Sequence, residues 1–65
     1  MMKIEELKEK LKNGKMYLLC SLNCLCTLEL INNNIHFIDN TRGIFCHVDN
    51  QNKLDNILLN YNLTK

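Results

Sequence analysis

The sequence predicts an α+β fold: a small antiparallel sheet of three or four strands flanked by an N-terminal and a C-terminal helix, in the order α-β-β-β-β-α. Three observations carry this. Apolar residues recur at helical spacing near both ends, alternate with period two through the middle, and are divided by asparagine-rich turns.

In the first segment, Lys3 to Lys12, the residues Ile4, Leu7 and Leu11 form one narrow stripe, and Glu5, Glu6, Lys8, Glu9, Lys10 and Lys12 cover the rest. This is the pattern of an amphipathic helix. Glu6 and Lys10 stand as an i,i+4 pair, and acids lead toward the N-terminus as the helix dipole prefers. Asn13-Gly14 ends the segment, with Gly14 suited to the left-handed position after a last turn.

From Met16 the period drops to two. Met16, Leu18, Cys20, Leu22, Cys24, Cys26, Leu28 and Leu30 fall on one face, while Tyr17, Leu19, Ser21, Asn23, Leu25, Thr27, Glu29 and Ile31 form a mixed, less buried face. The run is longer than a strand of about five to six residues, so a break is expected near Ser21 to Asn23. Residues opposite one another across a hairpin share a face. A two-residue loop would therefore reverse the parity, whereas a three-residue loop pairing Cys20 with Cys24, or one long bent strand, preserves it.

Asn32-Asn33-Asn34 is the clearest turn, because asparagine tolerates the left-handed conformation of tight hairpins. A two-residue loop at Asn32-Asn33 pairs Leu30 with Ile35 and Leu28 with Phe37, all apolar; a three-residue loop would mix the faces. Asp39 to Gly43 is a second turn, with Asp39 and Asn40 able to cap it. The last strand, Ile44 to Val48, puts Ile44, Cys46 and Val48 toward the core and Phe45 and His47 on the other face. Asp49 or Asn50 can then cap a C-terminal helix in which Leu54, Ile57, Leu58 and Tyr61 recur at i, i+3, i+4 and i+7, flanked by Leu59 and Leu63. This stripe is wider than the first, so the second helix is expected to bury more.

At 65 residues the chain has room for one domain, residues 1–65. A chain of this length buries only about 60% of the surface it exposes when unfolded, and small domains usually need a staple or a partner. Met1 to Lys12 is charged throughout and lacks the apolar region of a secretion signal, so a cytoplasmic location is expected. In that compartment Cys20, Cys24, Cys26 and Cys46 are free thiols or metal ligands rather than disulfides. The longest apolar stretch, Met16 to Ile31, falls short of the ~20 residues of a membrane span and contains Ser21, Asn23, Thr27 and Glu29. The net charge is +1, and the lysines are dispersed, so nothing resembles the basic face of a nucleic-acid binder. Asparagine, isoleucine, lysine and leucine abound while alanine, proline and tryptophan are absent, a bias of AT-rich coding DNA that is common in small phage and mobile-element proteins.

Cys20, Cys24 and Cys26 form C-x3-C-x-C, and with His36, Cys46 and His47 they supply enough soft ligands for one zinc ion. The spacing lacks a knuckle turn, and the strand pleat sets both histidines opposite the cysteines, so no metal is expected and cysteine reads as a small buried hydrophobe. Cys46 and His47 likewise point to opposite faces, which separates a thiol from its base. Phosphate loops and nucleophile motifs are absent; no catalytic residue and no cofactor is expected.

Tyr17, His36, Phe45 and His47 remain, on the less buried sheet face, joined there by Leu19, Leu25 and Ile31. Aromatic side chains are typical interface anchors, which makes these four the candidate partner-binding residues. The alternative is that one helix covers this face and the other helix the opposite one. The sequence thus points to a non-enzymatic protein–protein interaction module. Its expected form is a small phage- or mobile-element-encoded inhibitor or regulator of a host protein, anti-defence or anti-CRISPR-like in kind, with a homodimer as its state without a target. A small metal-stabilised binding domain and a small nucleic-acid-binding domain are the alternatives.

Overall fold

The computed structural model describes residues 2–19 and 25–63 and has the expected α-β-β-β-β-α order. Its elements are α1 (Ile4–Leu11), β1 (Met16–Leu19), β2 (Leu25–Ile31), β3 (Asn34–Asp39), β4 (Ile44–His47), α2 (Gln51–Asn60) and a short β5 (Asn62–Leu63). The strands form one antiparallel sheet in the order β4-β3-β2-β1-β5. Four consecutive strands are thus a meander, and β5 returns to the outer edge of β1.

The register follows the parity of the sequence. β1 and β2 pair as Leu18 with Cys26 and Leu19 with Leu25, which excludes one long bent strand. The loop expected at Ser21 to Asn23, with Cys20 opposite Cys24, lies outside the described residues. Leu30 pairs with Ile35 and Leu28 with Phe37 around a two-residue turn whose central residues, Asn32 and Asn33, have φ of 51° and 66°. Both are left-handed, as a type I′ hairpin requires.

Leu7 and Leu11 from α1 and Leu54 from α2 join Leu18, Cys26, Leu28, Ile35, Phe37 and Val48 in a single buried cluster. Both helices therefore lie on the same face of the sheet, and the alternative of one helix per face is overturned. The helices are also tied end to end. Lys3, the N-cap of α1, makes no side-chain cap; instead Ile4 donates its backbone N–H to Gln51 Oε1 at 3.1 Å, and Gln51 Nε2 donates to the Met2 carbonyl at 2.8 Å. The first turn of α2 thus supplies the partner that an unsatisfied helix start needs. α2 is itself capped by Asn50, which accepts from the Lys53 N–H at 2.9 Å.

Two expectations for the C-terminal region are corrected. Leu63, read as flanking the helix, belongs to β5 and pairs with Leu18. The chain leaves the helix at Tyr61, whose φ of −131° and ψ of 143° are extended, and the outer edge of β1 offers the backbone partners that the departing segment must find. Nor does α2 bury more than α1: Leu54 is its one buried residue, against Leu7 and Leu11 in the first helix. Ile57 is half-buried: it packs against the core cluster on one side and borders an open pocket beside β4 on the other.

Candidate functional site: the open sheet face

With both helices on one side, no element among the described residues covers the opposite face of the sheet. It carries Tyr17 and Leu19 from β1, Leu25, Thr27, Glu29 and Ile31 from β2, His36 and Ile38 from β3, and Phe45 and His47 from β4. Among the described residues, five large hydrophobic side chains are exposed, and four of them, Tyr17, Leu19, Leu25 and Phe45, stand on this face. Phe45 is 63% exposed and Leu25 54%.

The cross-strand rows explain how the side chains meet. Val48 donates its N–H to the Ile35 carbonyl at 2.8 Å, which marks that pair as hydrogen-bonded. Alternation along an antiparallel ladder then makes His36–His47 and Ile38–Phe45 the non-hydrogen-bonded pairs, whose side chains stand closer together. Accordingly the His36 ring lies 5.3 Å from His47, stacked at 21°, and 4.9 Å from Phe45 at 33°. The Asn34 carbonyl accepts from His36 Nδ1 at 3.2 Å, which places the proton on that nitrogen.

Next to His36 in the same row is Glu29, whose carboxylate accepts from Thr27 Oγ1 at 3.0 Å and lies 3.8 Å from Lys15 Nζ. The face is therefore an apolar and aromatic surface crossed by one polar row. His36, Phe45 and His47 come together as the sequence led one to expect. Tyr17 does not join them: it is three strands from Phe45, about 14 Å at ordinary strand spacing, with Thr27 and Ile38 between. Ile38 was not singled out from the sequence, although its parity with His36 marks it as a member.

The helix side of the sheet holds the remaining chemistry. Cys26 is buried there and Cys46 is exposed, with both histidines on the other face; Cys20 and Cys24 lie outside the described residues. Asp39, at the end of β3, is fully buried. Its Oδ1 accepts from the backbone N–H groups of Thr41 and Arg42, at 3.0 and 3.2 Å, and its Oδ2 accepts from Arg42 Nε at 2.6 Å. Arg42 also donates to the Tyr61 hydroxyl and lies over the Tyr61 ring, which in turn packs on Phe37. The Arg42 hydrogen bond holds the Asp39 carboxyl below the usual carboxylate range, against the opposing effect of burial, and the Cys26 thiol adds a weaker hydrogen bond in the same direction. This network closes the β3–β4 turn onto the C-terminal segment and has a structural rather than a chemical character.

Among the described residues, no helix is long and apolar enough to cross a membrane. Comparison with protein families, with curated proteins and with solved structures found no match.

Proposed function

We propose that the chain is a protein-interaction module that binds another protein through the open sheet face. The observation that supports this is the placement of Tyr17, Leu19, Leu25 and Phe45 as exposed side chains on the one face that neither helix covers. Large exposed apolar side chains gathered on one face of a small protein often mark an interface, and burying aromatic anchors is the usual source of binding energy. The His36, Phe45 and His47 group supplies a rigid anchor at one end of the face, and Tyr17 with Leu19 and Leu25 a second at the other. The function we assign is inhibition or regulation by occupying a surface of a larger protein. The AT-rich coding bias favours a phage or mobile element as its setting, and a symmetric homodimer through the same face is the form proposed in the absence of a target.

Light scattering over a range of concentrations, repeated with Phe45→Asp and Tyr17→Asp, tests the assignment. Concentration-dependent association that both substitutions abolish, with unfolding midpoints unchanged, is the expected result. Monomers at every concentration, together with capture of a native partner that neither substitution weakens, would remove the face from consideration.

A further inference from the structure

A second surface lies on the helix side of the sheet, at its open edge. β4 is one of the two edge strands and, among the described residues, pairs only with β3. Since Val48 N–H bonds to the Ile35 carbonyl, the backbone groups of Ile44, Cys46 and Val48 are directed at β3, and those of Phe45 and His47 point outward from the sheet. The edge therefore presents two N–H donors and two carbonyl acceptors at the spacing of a strand. Directly beside it is a pocket of about 330 Å³ between β4 and α2, lined among others by Phe37, Ile44, Cys46, Val48, Lys53 and Ile57.

These two features are in register with one another. Ile44 and Cys46 of β4, and Val48 just after it, point to the helix face, so a strand added to the edge would deliver its own helix-face side chain into this pocket. Strand addition draws affinity from main-chain hydrogen bonds and specificity from a pocket for alternate side chains, and both are present here. The lining carries one cation, Lys53, and no carboxylate. Lys53 Nζ gives one of its donors to Asp49 at 3.0 Å on a half-exposed site, and an ammonium has three.

We propose that the β4 edge and the adjoining pocket bind an extended segment of a partner protein by strand addition, taking a large apolar side chain that has an acidic residue two positions away, on the same face of the added strand. This surface is distinct from the open sheet face, and its test is independent of that assignment.

The probe is a displayed library of random dodecapeptides, panned against the intact immobilised protein, followed by titration of a synthetic enriched peptide. Enriched sequences are expected to share a large apolar residue with Asp or Glu two positions away. N-methylation of the peptide at alternate residues is expected to weaken binding about tenfold, and at the intervening residues to leave it unchanged. Cys46→Arg, which fills the pocket from an exposed position, is expected to weaken binding about tenfold as well, while Tyr17→Asp has no effect. Should Cys46→Arg fail to fold, the N-methyl series on the unmodified protein decides alone. The proposal is overturned by no enrichment over the bare support, by binding indifferent to N-methylation at every position, or by loss with Tyr17→Asp in place of Cys46→Arg. Self-association abolished by Cys46→Arg would assign the edge to a second copy and overturn it too.

Discussion

Arg42 Nε donates to Asp39 Oδ2 at 2.6 Å while the Asp39 side chain is wholly withdrawn from solvent. Because this contact lowers the carboxyl pKa in the folded state, its stabilisation is fully present above the unfolded value of about 4 and is lost as pH falls through the folded one. Denaturation midpoints measured from pH 7 down to pH 2 are therefore expected to fall steeply for the native chain. Asp39→Asn, which keeps the shape and removes the charge, is expected to start lower at neutral pH and to show a flatter acid limb. Parallel curves for the two proteins would mean the pair contributes nothing to acid sensitivity.

Gln51 joins the starts of two helices that are 47 positions apart. Replacing it by alanine leaves the Ile4 N–H and the Met2 carbonyl without their partner. The expected cost is about 1 kcal/mol, the usual price of a lost helix cap. Amide hydrogen exchange locates it: protection at Ile4 and the first turn of α1 should fall while the β2–β3 pairs keep theirs.

Leu18 and Leu19 are chemically identical neighbours on opposite faces. Leu18 is fully buried beneath the helices and Leu19 is on the open face. Leu18→Ala is expected to destabilise by about 2–5 kcal/mol and Leu19→Ala by about 0.5 kcal/mol or less. Urea denaturation at equal m-values gives both numbers. Equal losses would reverse or abolish the assignment of faces on which the interaction surface depends.

Binding through an apolar face has a salt signature. Association governed by Tyr17, Leu25 and Phe45 is expected to change little between about 0.05 and 0.5 M salt, whereas a nucleic-acid complex would weaken by orders of magnitude over the same range. Titration of a captured protein partner and of a random-sequence duplex at both salt concentrations separates the two classes.

The meander was legible because period-two alternation sets the face of each residue, and the left-handed tolerance of Asn32 and Asn33 sets the register of the central hairpin. What periodicity cannot specify is how elements are placed relative to one another. The stripes on α1 and α2 look the same whether the helices share a sheet face or divide the two, so the fate of Tyr17 and Phe45 rested on packing. β5 was missed because two residues carry no period. The burial of Asp39 had a signal in its parity with Ile35 and Phe37, but a carboxylate beside a turn reads as an exposed cap until Arg42 is seen to neutralise it. The link from Gln51 to Met2 and Ile4 gave no local sign, since those partners are at the far end of the sequence.

The left-handed pair at Asn32 and Asn33 also bears on the order in which the chain assembles. It closes the pairing of β2 with β3 across two residues, the shortest connection among the described strands, and hairpins of this kind form in about 1–10 μs. The Gln51 link between helix starts and the return of β5 to β1 close the largest loops and bear the greater entropic cost. A folding nucleus centred on β2 and β3 is the expectation, so that Asn33→Ala slows folding with little effect on unfolding while Gln51→Ala speeds unfolding alone. Stopped-flow chevrons of the two variants measure this division, and a Gln51→Ala effect confined to the folding limb would place the nucleus at the helices instead.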